Sequence, residues 1–160
     1  MEQLWAPWRM EYVKQEKPDE CIFCTIPKDS DDVKNYILYR GQSAFIIMNI
    51  FPYNSAHLMV SPFQHISCLT KQDARQNKEM TQLTHSSIGI LRTVINPDGF
   101  NIGYNIGKAG GAGYDEHIHC HIVPRWTGDT NFMPVLGETK VHPEHLKATY
   151  NKLLPHFKKL

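Results

Sequence analysis

Three histidines, His117, His119 and His121, alternate with Ile118 and Cys120 in the run HIHCHIV. In an extended strand, side chains at i, i+2 and i+4 share one face. The spacing therefore predicts three imidazoles on one side, with Ile118, Cys120 and Ile122 turned toward a core. At roughly 3.3 Å per residue, neighbouring histidines stand about 6.6 Å apart along the backbone, close enough to work on one small centre. Two chemistries use such a row. Neutral imidazole is a nucleophile and a proton carrier. A His-x-His pair also chelates Zn²⁺ when a carboxylate or a further histidine completes the shell.

Directly upstream runs NIGKAGGAGYDE, with Gly107, Gly110, Gly111 and Gly113 close together and Lys108 among them. Glycines let successive backbone N–H groups turn toward one point, which makes a nest for phosphate. The spacing matches neither the Walker A nor the dinucleotide fingerprint. Joined to three histidines, the loop points to attack at phosphorus. A central histidine would form a phospho-histidine bond, a flanking one would protonate the leaving group, and water would release a mononucleotide. Cys21 and Cys24 form a C-x-x-C pair without a thioredoxin-like βαβ setting, which favours metal over redox chemistry. A structural zinc would need two further N or S ligands.

The elements that must hold these residues can be read from periodicity. YILY and AFIIMNI flank the turn-like RGQS and predict a hairpin, and HLMVSPF predicts a strand ended by Pro62. Met80, Leu83, Ser87, Leu91 and Val94 recur at helical spacing within a segment from about Lys71 to Ile95, which NPDG stops. FNIGYNI and HIHCHIVPRW alternate as strands. Pro143, Leu146, Tyr150, Leu153, Leu154 and Phe157 outline a C-terminal amphipathic helix. The pattern is an α+β domain with a largely antiparallel sheet. Residues 1–20, with Trp5, Pro7 and Trp8, read as an arm that docks its indoles on the domain or on a second subunit.

The chain has 160 residues and a mass of 18.5 kDa, enough for one domain with its own core. Lys plus Arg is 17 and Asp plus Glu is 16, a net charge of +1. That balance speaks against a nucleic-acid binder held by bulk charge. No apolar run approaches the roughly 18–20 residues of a membrane span, and the N-terminus lacks the pattern of a secretory signal. A reducing, cytoplasmic setting is the expectation.

HIHCHIV fits the alternating pattern of the histidine triad superfamily of nucleotide hydrolases and transferases. AFIIMNIFPYNSAHLMVSPFQH resembles the superfamily's strand–Asn–loop–His–strand segment. GFNIGYNIGKAGGAGYDEHIHCHIVPRWTGDTNFMPVLGETKV and LWAPWR resemble its bacterial branch, related to fragile-histidine-triad and diadenosine polyphosphate hydrolases and phosphorylases. The resemblance spans essentially residues 1–160 and implies a single HIT-like domain, with 21–160 as its core. That fold has a mainly antiparallel five-stranded sheet, one long helix and a C-terminal helix.

The resemblance also implies roles. His119 would be the nucleophile that becomes nucleotidylated, His121 would contact the bridging oxygen, and His57 would support the triad. Asn49 would contact ribose and Asn105 would lie near the scissile phosphate. Gly110, Gly111, Ala112 and Gly113 would form the phosphate nest by backbone. Many relatives have Gln and Ser or Thr before the first histidine where this chain has GYDE, so those contacts do not carry over to Tyr114 and Asp115. In zinc-bearing members, the ligands match Cys21, Cys24, His65 and His117 here, a closed structural Zn²⁺ site with no organic cofactor. Cys68 and Cys120 read as small buried residues. The implied substrate is an adenine nucleotide or dinucleoside polyphosphate, cleaved by water or passed to phosphate or another acceptor. The implied assembly is a homodimer.

Overall fold

A computed structural model describes residues 20–129 and 144–160. Nearly all of the expected N-terminal arm, and Pro143, lie outside the described residues. Five strands form: β1 (Ile37–Arg40), β2 (Ala44–Met48), β3 (Leu58–Pro62), β4 (Gly99–Tyr104) and β5 (Cys120–Arg125). Their spatial order is β1-β2-β3-β5-β4, and every neighbouring pair is antiparallel. A bulge interrupts β1 between Ile37 and Tyr39. The expected α+β class, five-stranded sheet, long helix and C-terminal helix are all present.

Four α-helices complete the described residues: α1 (Ile22–Thr25), α2 (Asp32–Asn35), α3 (Ala74–Ile95) and α4 (Leu146–Phe157). The long helix α3 starts three residues later than the periodicity suggests. Asp73 is its N-cap and accepts the Gln76 N–H at 2.8 Å, while Leu69–Lys71 turn separately as a 3₁₀ helix. Asn96, at φ 44°, ends α3 in the left-handed conformation. No described helix is long and apolar enough to cross a membrane.

Alternation along the strands divides the interior. Ala44, Ile46 and Met48 of β2, Leu58 and Val60 of β3, and Cys120 and Ile122 of β5 pack against Met80, Leu83 and Leu91 of α3. Tyr150, Leu153 and Phe157 of α4 join that layer. The buried Tyr150 hydroxyl donates to the Ile37 carbonyl at 2.9 Å, which ties α4 to β1. On the other face, Ile37, Phe45, Ile47 and Met59 pack under Phe23 of α1. This second face is the one that matters for chemistry.

Two local expectations change. The ladder of β5 begins only at Cys120, so His117 and His119 lie on the extended lead-in, where Ile118 donates its N–H to the Ile66 carbonyl at 2.7 Å. The face opposite Ile118 and Cys120 is covered, with His117, His119 and His121 only 1%, 6% and 8% exposed. Cys68 is half-buried at the start of the 3₁₀ turn, unlike the core residue expected, whereas Cys120 is buried.

Candidate active site

The lead-in to β5 sets the ring of His119. Its Nδ1–H donates to the His117 carbonyl at 2.8 Å, a contact two residues back that the extended backbone makes possible. Nδ1 is therefore the protonated nitrogen, and Nε2 keeps its lone pair. The ring of Phe23 stacks on His119 at 4.5 Å and 25°. Burial pushes the His119 pKa below the ordinary histidine value, partly offset by the His117 carbonyl. The result is a neutral imidazole with a fixed lone pair, the form a nucleophile requires.

His121 is set in the opposite sense. The Tyr53 main-chain N–H donates to His57 Nδ1 at 3.1 Å, and the Asn49 amide nitrogen lies 3.3 Å from the same atom. Asn49 is itself held, because its Oδ1 accepts the Phe51 N–H at 2.9 Å. His57 Nδ1 thus accepts, and its Nε2–H faces His121 Nδ1 at 2.9 Å. That makes His121 Nδ1 the acceptor and leaves Nε2 as the N–H. The two rings, 4.8 Å apart, thus present a base nitrogen and an acid N–H beside each other. Tyr53 covers the relay, with ring contacts to His57 at 4.6 Å and to His121 at 5.5 Å.

Both rings open on a cavity of about 230 Å³. Ile22, Phe23, Ile26, Ile47 and Met59 give it apolar walls, and Asn35, Asn49, Asn105 and Gly113 add polar groups. The side-chain amide of Asn105 lies 3.5 Å from His121 Nε2. The glycine loop turns as a 3₁₀ helix over Lys108–Gly110, with Gly107 at φ 71° and Gly111 at φ 81°. Those values suit glycine and strain other residues. Of the loop residues expected to cradle phosphate, Gly113 lines the cavity. Gly110, Gly111 and Ala112 belong to the turn before it.

The remaining residues meet at a second cluster. A single helical turn puts Cys21 and Cys24 on one side of α1. Cys21 Sγ lies 3.3 Å from His117 Nδ1, and Cys24 Sγ lies 3.3 Å from His65 Nδ1 and 3.5 Å from His117 Nδ1. All four ligand atoms fall within 4.8 Å of one another. Zinc bonds of about 2.0–2.3 Å in a tetrahedron require ligand spacings of about 3.3–3.8 Å, the range in which these three sulfur–nitrogen distances fall. His117 Nε2–H donates to the Pro62 carbonyl at 2.9 Å, which frees Nδ1 to act as a ligand. Burial, first, drives the His117 pKa down to about 4, so the ring is neutral.

The structure thus brings His57, His119 and His121 together at one site, with Asn49 and Asn105 beside them. It gathers Cys21, Cys24, His65 and His117 at another. Sequence reasoning did not find Phe23, Tyr53 or Asn35. Phe23 lies inside the CIFC run and Tyr53 four residues before His57, but nothing in their local pattern names the rings they touch.

The HIT domain family matches residues 30–128 of this chain. The AP-4-A phosphorylase of Mycobacterium tuberculosis is 35% identical over 158 residues, which is 93% of this chain and 80% of that protein. The adenosine 5'-monophosphoramidase of Schizosaccharomyces pombe is 23% identical over 128 residues, covering 80% of this chain and 91% of that one. Among solved structures, a Zn-bound histidine triad family protein from Mycobacterium smegmatis superposes with a TM-score of 0.69 at 24% identity. It covers 88% of this chain and 94% of that chain. The chain belongs to the HIT domain family.

Proposed function

We propose that this protein is a nucleotide hydrolase or nucleotidyl transferase that works through a nucleotidyl-His119 intermediate. The observation that supports it best is the opposed setting of two adjacent rings: lone pair on His119 Nε2, N–H on His121 Nε2. In the first step, His119 Nε2 attacks the α-phosphorus of a nucleotide and an N–P bond forms. The P–O bond of an anhydride, or the P–N bond of a phosphoramidate, breaks. The departing atom is stabilised by a hydrogen bond from His121 Nε2–H, and water supplies the proton that a departing amine needs. His57 keeps its Nε2 proton on His121 Nδ1 and so holds His121 as the Nε2–H donor. In the second step an acceptor attacks phosphorus, the N–P bond to His119 breaks, and the proton lost by the acceptor passes to solvent.

Water as acceptor gives a nucleoside monophosphate. Inorganic phosphate gives a nucleoside diphosphate, and the similarity to an AP-4-A phosphorylase supports that outcome. The substrate class we propose is an adenine nucleotide or dinucleoside polyphosphate. His119, His121 and the supporting His57 carry the chemistry, Asn49 and Asn105 contact ribose and phosphate, and residues Gly110, Gly111, Ala112 and Gly113 contact phosphate by backbone. Incubating the protein with diadenosine tetraphosphate, with and without phosphate, identifies the acceptor by its products. His119→Ala should abolish turnover while nucleotide binding persists. Full turnover in that variant overturns the reading.

We further propose a structural Zn²⁺ at Cys21, Cys24, His65 and His117, supported by the donor spacing and the Pro62 contact. Bound there, zinc would cross-link α1 to the lead-in of β5 and carry no part of the reaction, since four protein ligands close its shell. The assembly we propose is a homodimer in the cytoplasm, with the whole chain acting as one unit. Its support is the edge strand β4, where Ile102 is 46% exposed, near Ile106 at 45%.

A further inference from the structure

Asn35, the last residue of α2, lines the cavity yet has no part in the chemistry above. Its amide is oriented by its partners. Nδ2 donates to Asp29 Oδ2 at 2.9 Å and to the Asp31 carbonyl at 2.9 Å. A flipped amide would turn Oδ1 against a carboxylate and a carbonyl, so the orientation follows from the surroundings. The Asp29 carboxyl is held below its usual range, first of all by this amide. Arg40 in turn fixes the loop, with Nη1 on the Pro27 carbonyl at 2.6 Å and Nη2 on the Asp29 carbonyl at 2.8 Å. Both amide hydrogens are used, and Oδ1 is what Asn35 can offer a ligand. It can only accept.

We infer that Asn35 is a specificity-determining residue that reads the 6-position of a purine base, favouring a 6-amino over a 6-oxo group. The inference rests on the nucleotide reading above. With α-phosphorus at His119 and ribose at Asn49, the base enters the apolar slot walled by Phe23, Ile26 and Ile47. The purine edge remote from its glycosidic nitrogen bears N1 and the 6-substituent. An acceptor met there pairs with an exocyclic amine and opposes the lone pairs of a 6-oxo group. A site built to bond one polar group rejects an analogue lacking it, because its own group is then left unpaired.

Titration calorimetry on the full chain tests this with AMP, IMP and purine riboside 5'-monophosphate, which has no 6-substituent. Wild-type protein should bind AMP about fivefold to tenfold more tightly than either of the others, the effect of one hydrogen bond. Asn35→Ala should weaken AMP by that factor and leave the riboside monophosphate unchanged, so the coupling between side chain and amine disappears from the cycle. A uniform loss across the three probes marks a merely structural role and overturns the inference. An AMP preference that survives in Asn35→Ala overturns it too. The comparison of ligands on wild-type protein does not depend on the variant folding, and equal affinities there are decisive against it. If all three bind equally and His119 still becomes nucleotidylated, this inference alone falls. If none binds, the nucleotide reading falls with it.

Discussion

His119 and His121 owe their opposite tautomers to main-chain groups: a carbonyl for one and, through His57, an amide N–H for the other. His57 is a positioning residue, and its loss should damage chemistry without damaging binding. His57→Ala is expected to lower kcat by about 10²–10⁴, because His121 loses the partner that keeps its proton on Nε2, while KM stays near its wild-type value. Steady-state kinetics check this, and a loss confined to KM would count against the relay. Phe23, 2% exposed and stacked on His119, makes a different test. Phe23→Ala should cost about 3–5 kcal/mol in urea denaturation, as large-to-small core changes do. The triad was legible in sequence because a period of two is a local signal. Phe23 was not, because its contact with His119 exists only once the chain has folded across the sheet.

Elements hold their ends by specific polar groups, and two of these can be tested. Glu79 on α3 accepts from the N–H groups of Gln42 and Ser43, at 2.7 and 2.6 Å, and from the Ser43 hydroxyl, pinning the β1–β2 turn to the helix. Burial works to raise its pKa, but these bonds outweigh it and the value lies below the ordinary 4.5. A depressed carboxyl stabilises the fold fully above its unfolded pKa, and that contribution disappears as pH falls through the lower folded value. Wild-type Tm should therefore drop more steeply than that of Glu79→Gln between about pH 5 and pH 3, near the carboxylate range. Parallel curves would show that Glu79 adds nothing. At the start of α3, Asp73→Ala should cost about 1 kcal/mol by loss of the cap, measurable by denaturant titration. The helix itself was legible from Met80, Leu83, Ser87 and Leu91. Its start was not, because Asp73 takes the Gln76 N–H and separates the 3₁₀ turn from the helix, a choice that hydrophobic spacing does not encode.

Across the whole molecule, the sheet has α3 and α4 on one face and the histidine site, under α1, on the other. Class and sheet content were readable because strands and helices each kept a clean period. The strand order, with β5 inserted between β3 and β4, was not, since pairing depends on contacts far apart in sequence. The exposed Ile102 on edge strand β4 gives the dimer proposal its test. Ile102→Asp should shift the protein toward monomer in sedimentation equilibrium, and an unchanged mass would point to another interface. Removing metal should lower stability before it touches chemistry. Chelation is expected to lower Tm, and Cys24→Ser should do the same without chelator. A Tm indifferent to both would remove the metal from the fold.

The one-turn helix α1 faces two ways. Cys21 and Cys24 turn to the sulfur–nitrogen cluster, while Ile22 and Phe23 wall the cavity. Whatever fixes one side of so short a helix fixes the other, and thermodynamic linkage makes that influence mutual. A nucleotide filling the slot should tighten the hold of the cluster on an ion, and an ion in the cluster should tighten the nucleotide by the same factor. Competition with a chromogenic chelator would report that affinity directly, with and without AMP, in a protein that performs no turnover at all.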